Sequence, residues 1–307
     1  MGSVLRVDAK PIFADIEEQS FNIDPEKMAE VLAADAQGER RIKAIIPVHL
    51  FGQCADMGKI MDMAQQYSIP VIEDAAQAIG AEYPTSDAEG NIHWHKAGSL
   101  GTLGCFSFFP SKNLGCLGDG GMVISRKHEL DDLLRCYRNH GAKPKYYHSR
   151  IGGNFRLDPI QAAVLKVKLP HLQQWHGQRQ ANSKAYQELF QQAGLIDQPV
   201  VLPRAMYQDQ PNAEAHHGHI YNQFVIRVPQ RDALRAYLQQ HSIGCEVYYP
   251  VCLHQQECLT HQEEYKNLSF PVAEQASQDS LALPIYPELE QAQQEYVVET
   301  ITQFYRS

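Results

Sequence analysis

The sequence contains, at residues 105–125, the stretch CFSFFPSKNLGCLGDGGMVIS, in which two apolar runs flank a glycine-rich connection. Residues 105–109 and 121–125 have the aromatic and branched side chains that are typical of strands. Lys112 lies in the connection, shortly after the first run. The stretch therefore predicts two strands joined by a turn that carries a lysine near a strand end.

A second strand end with a notable polar residue lies at residues 70–77, PVIEDAAQ, where an apolar run ends at Asp74. Another apolar run covers residues 42–50, and a helical period at residues 56–67 separates the two runs. Alternating strands and helices are typical of a parallel α/β sheet, which binds ligands at the carboxyl edge of its strands. We therefore expect Asp74 and Lys112 to lie on neighbouring strand ends.

The second half of the chain follows a different pattern, which is helical from Leu157 to about Gln192. Other predicted elements are strands at residues 10–15, 221–228 and 245–249, a helix that opens at Asp24 and Pro25, and helices at residues 231–240 and 292–305. We predict a large α/β domain with a mostly parallel sheet over residues 1–180. A smaller α+β domain is predicted over residues 181–307.

Asp74 and Lys112 suit two different roles. A carboxylate and an amine on neighbouring strand ends can form a structural salt bridge, and such residues often have structural roles. Pyridoxal phosphate (PLP) requires the same pair, because a lysine binds this cofactor covalently and a carboxylate keeps its pyridine nitrogen protonated. Ser107 and the glycine-rich connection offer donors for a phosphate. Spacing alone leaves both roles open.

Composition and charge narrow the class of protein. The chain has 307 residues, with 27 lysines and arginines against 36 acids, and its formal net charge is −9. This acidity disfavours a dominant role in binding nucleic acid or an anionic membrane. No run approaches the roughly 18 apolar residues of a membrane span. Residues 1–8 lack a signal-peptide pattern, so we expect a cytoplasmic protein.

The seven cysteines are scattered and never spaced C-x-x-C, which favours reduced thiols. One cluster has a faint likeness to a metal site and fits no standard zinc spacing: Cys252, His254, Cys258 and His261. We therefore predict no metal site.

An ordered series of motifs extends over nearly the whole chain, at residues 44–53, 71–77, 98–101, 106–121, 138–141, 152–158, 161–163, 219–224 and 283–287. This series resembles the DegT/DnrJ/EryC1/StrS family of sugar aminotransferases. The resemblance implies the aspartate aminotransferase fold (fold type I) and PLP as the cofactor. It also implies that an amino group, with glutamate as donor, is transferred to a keto sugar carried on a nucleotide, in amino-sugar and polysaccharide biosynthesis.

The resemblance assigns the cofactor residues by position. It implies that Lys112 is the catalytic lysine, which forms the Schiff base with PLP and moves the proton during transfer. Asp74 then pairs with the pyridine nitrogen, Gln77 lies against the cofactor ring, and Ser107 binds the phosphate.

The resemblance also implies a partner. Asn154 matches a residue that reaches the phosphate of the neighbouring subunit's cofactor, which implies a homodimer with shared active sites. His219 and Tyr221 lie in a segment that the family uses near the sugar nucleotide.

One departure from the family pattern lies at the start of the chain. Family members carry roughly 80–90 residues before the equivalent of Met1, including a glycine-rich turn whose amides bind the phosphate at a helix N-terminus. A catalytically impaired fragment, or a non-catalytic protein with an interaction or regulatory role, is therefore the alternative to an active aminotransferase.

Overall fold

The computed structural model describes residues 1–39 and 41–307. Its helices are α1 (Gly2–Leu5), α2 (Pro25–Gln37), α3 (Met57–Tyr67), α4 (His128–Arg138), α5 (Pro159–Lys168), α6 (Leu172–Gln192), α7 (Arg231–Gln240), α8 (Glu257–Thr260), α9 (Pro271–Asp279) and α10 (Gln291–Arg306). Its strands are β1 (Ile72–Asp74), β2 (Glu82–Ser86), β3 (Ile92–Lys96), β4 (Leu103–Ser107), β5 (Gly121–Ile124), β6 (Phe224–Arg227) and β7 (Ser280–Leu283). Short 3₁₀ turns lie at Leu50–Gly52, Leu169–His171, Ala213–Ala215, Leu253–Gln255 and Glu263–Tyr265.

The sheet that leads to the predicted site has the strand order β1, β4, β5. β1 and β4 are parallel, and Asp74, the last residue of β1, pairs with Cys105 in the middle of β4. β4 and β5 are antiparallel, and Ser107 pairs with Gly121 where the two strands meet their connection. The two strands predicted around the glycine-rich connection are therefore confirmed, and β1 ends beside them.

A further extended segment, residues 45–49, lies alongside β1. Backbone hydrogen bonds of 2.9–3.0 Å join the two in the pattern of parallel strands. Pro47 has no amide proton, so it leaves one bond out of this ladder. The strand predicted at residues 42–50 thus pairs as expected over its second half, with an interruption at its proline.

The chain consists of two compact units. One consists of Arg41–Gln180 and Ala205–Asn222, and it contains the sheet described above. The other consists of the described residues up to 39 with Ala181–Arg204 and Gln223–Ser307, and it contains the antiparallel pair β6 and β7. The predicted domains 1–180 and 181–307 share one border with these units and stay a prediction.

The helix predicted to open at Asp24 is confirmed, because the Asp24 carboxylate accepts a hydrogen bond from the Glu26 amide (2.8 Å) and Pro25 is the first helical residue. Two predicted strands are wrong. The segment at residues 10–15 forms no strand, because Asp15 instead accepts hydrogen bonds from amides in the first turn of α9. The segment at residues 245–249 is reduced to a single bridge at Glu246.

The core beneath the glycine-rich connection is formed by buried side chains from the residue after β4, the connection and two helices. They are Phe108, Leu114, Cys116, Leu165 and Leu172. Burial of Leu114 and Cys116 anchors the part of the connection that precedes the exposed Leu117. Among residues 1–39 and 41–307, each helix is too short or too polar to cross a bilayer. The cytoplasmic location stays a prediction.

Candidate active site

Lys112 lies in a tight turn that follows β4. Its amide donates to the carbonyl of Phe109 (2.9 Å), and two more backbone bonds of 2.8 Å connect Phe108 with Cys116 and with Gly120. The side chain is half-buried, and burial lowers the pKa of its ammonium group, while the carboxylate of Asp74 acts in the opposite direction. Lys112 and Asp74 are therefore close enough to interact electrostatically, as predicted from the sequence.

Asp74 is the last residue of β1, and its backbone is held on both sides. Its amide donates to Pro47 and its carbonyl accepts from the amide of His49, both at 2.9 Å. Its carboxylate accepts a hydrogen bond from the amide of Ala76 (3.1 Å). The side chain is half-exposed and keeps acceptor capacity for a ligand.

Ser107 and Gln77 lie at the same sheet edge. Ser107 ends β4, and its hydroxyl oxygen accepts a hydrogen bond from the amide of Phe109 (3.3 Å). Gln77 lies in the turn after β1, is 7% exposed, and accepts a hydrogen bond from the amide of Phe51 (2.7 Å) through Oε1. The elements thus place all four predicted cofactor residues of this region, Asp74, Gln77, Ser107 and Lys112, at or just beyond the ends of β1 and β4.

The rings of His219 and Tyr221 stack on each other, with centroids 3.9 Å apart and an interplanar angle of 7°. His219 Nδ1 accepts a hydrogen bond from the amide of Tyr221 (3.0 Å), and burial lowers the pKa of His219 to about 3. The imidazole is therefore neutral at physiological pH. As a rigid stacked pair, these rings suit packing against a ligand better than proton transfer.

The segment that carries this ring pair is held by three side chains. Three consecutive carbonyls accept their hydrogen bonds: His219 from Gln180 Nε2 (3.2 Å), Ile220 from Asn113 Nδ2 (3.1 Å) and Tyr221 from Arg179 Nη1 (2.9 Å). Asn113, which directly follows Lys112, was not singled out by sequence reasoning. Its only local signal is that position.

Asn154 lies on an exposed segment after α4. Its backbone pairs in an antiparallel manner with Asn139, and the amide of Phe155 donates to the carbonyl of Arg138 (3.0 Å). Asn154 is therefore exposed on the surface of the compact unit that contains the sheet. Asp74 and Lys112, in contrast, lie at the sheet edge.

Glu73 lies on the opposite side of β1 from Asp74, and sequence reasoning missed its role. Its fully buried carboxylate accepts hydrogen bonds from His49 Nε2 (2.9 Å) and from the amides of Gly98 (2.7 Å), Leu100 (2.7 Å) and Gly101. Burial acts to raise the pKa of Glu73, but these hydrogen bonds outweigh it and the pKa lies below its usual value. The usable signal was strand alternation, because the residue before Asp74 must face the interior.

The loop that supplies these amides packs tightly against β4. Gly98 has a φ of 81°, and a Cβ atom on Gly104 would lie 2.0 Å from the carbonyl oxygen of Gly98. Both positions therefore require glycine, one for its conformation and one for its lack of a side chain.

An α/β sheet with an amine, a carboxylate and a hydroxyl at its carboxyl edge has the groups that PLP-binding transferases with the aspartate aminotransferase fold require. The comparisons with known proteins agree. The sequence profile of the DegT/DnrJ/EryC1/StrS aminotransferase family matches residues 1–302, and the chain belongs to this family.

Two relatives illustrate the range of functions. The "Pleiotropic regulatory protein" of Geobacillus stearothermophilus is 46% identical over 305 residues, which cover 99% of this chain and 75% of the relative. The UDP-N-acetyl-3-dehydro-alpha-D-glucosamine 3-aminotransferase of Acidithiobacillus ferrooxidans is 39% identical over 95% of this chain and 70% of its own length.

A solved structure extends the likeness to the fold. NtdA from Bacillus subtilis, with bound cofactor PMP, superposes with a TM-score of 0.83 at 26% identity. The match covers 100% of this chain and 65% of that one.

Proposed function

We propose that this chain is a PLP-dependent sugar aminotransferase that moves an amino group from glutamate to the keto carbon of a nucleotide-linked sugar, for amino-sugar and polysaccharide biosynthesis. The observation that carries the proposal is that the parallel strands β1 and β4 bring Asp74 and the turn that carries Lys112 to one sheet edge, in a chain of this family. The 3-aminotransferase among the relatives, which acts on a UDP sugar, supports the substrate class.

The groups at the sheet edge fit PLP in their chemistry. The cofactor needs an amine for its aldehyde, a carboxylate for its pyridine nitrogen and donors for its phosphate. Lys112, Asp74 and the hydroxyl of Ser107 are these groups, and the strands β1 and β4 fix their backbones. Gln77 is suited to lie against the ring, because its bond to the Phe51 amide holds its side chain in place.

When bound, PLP supplies an aldehyde for the amino group and a ring that stabilises negative charge on the adjacent carbon. Partial burial helps Lys112 to reach the neutral amine, which is the nucleophilic form, because burial disfavours the ammonium ion. Once an amino donor had taken its place on the cofactor, Lys112 Nζ would be free to act as the acid and base that moves the proton. With the cofactor bound, the Asp74 carboxylate would pair with the pyridine nitrogen and favour its protonated form.

We also infer a homodimer that shares its active sites through Asn154. Two large apolar side chains flank Asn154 and are strongly exposed, Ile151 at 97% and Phe155 at 71%. Exposed apolar side chains that cluster in this way mark contact surfaces. A partner surface on this segment would bury them and bring Asn154 to the partner's cofactor phosphate.

For the sugar site we propose the stacked pair of His219 and Tyr221. A flat, buried aromatic surface with a neutral imidazole suits packing against a sugar or a base.

The first test measures cofactor binding. Purified chain is incubated with PLP, dialysed, and examined for an absorbance band at about 410–430 nm, which arises when the cofactor is attached to a lysine. We expect the band in the wild-type chain and its loss in Lys112→Ala. Lys184→Ala is the matched control and should keep the band, because the Lys184 side chain is 79% exposed. An unchanged band in Lys112→Ala contradicts the proposal.

The second test separates this proposal from a non-catalytic regulatory role, which the name of the Geobacillus relative suggests. Conversion of glutamate to 2-oxoglutarate with a keto sugar nucleotide is expected, together with an aminated sugar product. Failure of the wild-type chain to retain PLP at micromolar concentration would favour the regulatory role.

A further inference from the structure

Asn113 connects the lysine turn to a distant part of the same compact unit. It directly follows Lys112, is 7% exposed, and donates from Nδ2 to the carbonyl of Ile220 (3.1 Å). Because a carbonyl accepts this bond, the amide nitrogen must face Ile220 and the orientation of the side chain is determined.

The other end of the same side chain is unusual. In the part of the chain that the structure describes, Asn113 Oδ1 is buried and has no hydrogen-bond partner. A buried acceptor without a partner costs free energy, so an apolar residue of this size would serve packing alone at least as well. Core packing alone therefore does not account for an asparagine at this position, and its hydrogen bond to Ile220 requires another explanation.

Further hydrogen bonds connect Ile220 with Gln77, which is another of the proposed cofactor residues. The amide of Ile220 donates to the carbonyl of Gly52 (2.9 Å), and the neighbouring amide of Phe51 donates to Gln77 Oε1 (2.7 Å). A Cβ atom on Gly52 would lie 2.9 Å from the amide nitrogen of Asn222, so the two backbones pack closely. A series of three hydrogen bonds thus joins Asn113 to Gln77 through two peptide segments.

We propose that Asn113 is a positioning residue for Lys112, which holds the lysine turn at a fixed distance from Gln77 through Ile220 and Gly52. This inference rests on the proposed function, since it concerns the attachment of PLP to Lys112. In that step the lysine amine adds to the aldehyde carbon and water leaves, so the amine must approach the carbonyl along a defined direction. Misplacement of a reacting group by about 1 Å costs up to about 10²-fold in rate.

The experiment compares Asn113→Leu with Gln180→Leu. Both variants remove one side-chain bond to the segment of residues 219–221, but only Asn113 is adjacent to Lys112 in the chain. The rate at which PLP attaches to Lys112 is followed by the visible band, and bound PLP is measured independently by equilibrium dialysis. We expect attachment about 10²-fold slower in Asn113→Leu with PLP retention changed less than threefold. Gln180→Leu should attach PLP at the wild-type rate.

A second variant keeps the test valid if Asn113→Leu folds poorly. Asn113→Asp has the same shape but its ionised carboxylate cannot donate to Ile220, whereas the protonated acid can. Its attachment rate, divided by the wild-type rate at each pH, should therefore recover as the pH falls.

Three results overturn the inference: a wild-type rate in Asn113→Leu, equal slowing in Gln180→Leu, or a pH-independent ratio in Asn113→Asp. A wild-type chain without the visible band contradicts the proposed function and this inference together. A wild-type chain with a normal band and any of the three results contradicts the inference alone.

Discussion

Two neighbouring carboxylates at the end of β1 have opposite surroundings. Glu73 is fully buried, and its two oxygens accept hydrogen bonds from an imidazole and three backbone amides. Asp74 is half-exposed, accepts a bond from the Ala76 amide, and lies within electrostatic reach of Lys112.

The difference shows how one strand serves structure and chemistry at once. Alternation along the strand sends adjacent side chains to opposite faces. The carboxylate that faces the interior must have its acceptors satisfied, because an unsatisfied buried charge is costly. The carboxylate that faces the edge keeps the capacity that a ligand requires.

The largest expected effect distinguishes Asp74 by its chemistry. Asp74→Asn should lower aminotransferase turnover by about 10³-fold, because the neutral amide cannot keep the pyridine nitrogen protonated. The free energy of unfolding should change by less than about 0.5 kcal/mol, as for other residues outside the core. Steady-state kinetics and urea unfolding check the two values. A large loss of stability in Asp74→Asn would show that Asp74 has a structural role like that of Glu73.

The next effect distinguishes Glu73 by its structural role. Glu73→Gln should lower the free energy of unfolding by about 3 kcal/mol, because the amide has one acceptor oxygen for four donors and its NH₂ group faces them. Turnover per folded molecule should stay within about fivefold of the wild type, since a change under 1 kcal/mol at the site is expected. Urea unfolding gives the first value. Glu30→Gln, whose side chain is 65% exposed, is the control and should unfold like the wild type.

A third carboxylate, that of Asp15, tests whether accepting hydrogen bonds from backbone amides predicts a structural role outside the sheet. Asp15 is 7% exposed and accepts hydrogen bonds from the amides of Val272 (3.1 Å) and Ala273 (3.0 Å) at the start of α9. Asp15→Ala should cost about 1–2 kcal/mol of stability, the usual value for a helix cap. Thermal unfolding measures it against the exposed control Asp209→Ala. An unchanged stability in Asp15→Ala would mean that the structural role of amide-bound carboxylates holds only in the sheet.

The smallest expected effect concerns the electrostatic interaction between the Asp74 carboxylate and the Lys112 ammonium group. The Asp74 carboxylate stabilises the protonated form of Lys112, so its removal in Asp74→Asn should lower the pKa of Lys112. The rate of acylation of Lys112 in cofactor-free protein, followed by peptide mass spectrometry, should therefore reach half its plateau at lower pH. A shift of this half-plateau pH to higher values would contradict the expected direction of the pKa change. Glu30→Gln should leave this profile unchanged.

Much of the site was predictable because it depends on local patterns. Asp74 and Lys112 stand at the ends of apolar runs, and parallel strands bring such ends together. The start of α2 was equally local, because Asp24 caps the helix that follows it.

The parts that were missed depend on contacts distant in sequence. Asn113 binds Ile220 across 107 residues, and Asp15 binds Val272 across 257. A local pattern cannot show which distant amide or carbonyl will satisfy a polar side chain. For the same reason residues 10–15 have strand-like composition but cap a helix instead of joining a sheet.

Gly98, in the loop that binds Glu73, and Gly104, in β4, have a consequence for engineering. At Gly104 any side chain would overlap the backbone of Gly98, and at Gly98 the backbone conformation itself disfavours one. A library that diversifies this sheet edge should leave both codons unchanged and concentrate its variation at tips such as Leu117, which is 73% exposed. In a saturation screen, codons 98 and 104 should be among the least tolerant of the whole unit, although neither encodes a residue of the site.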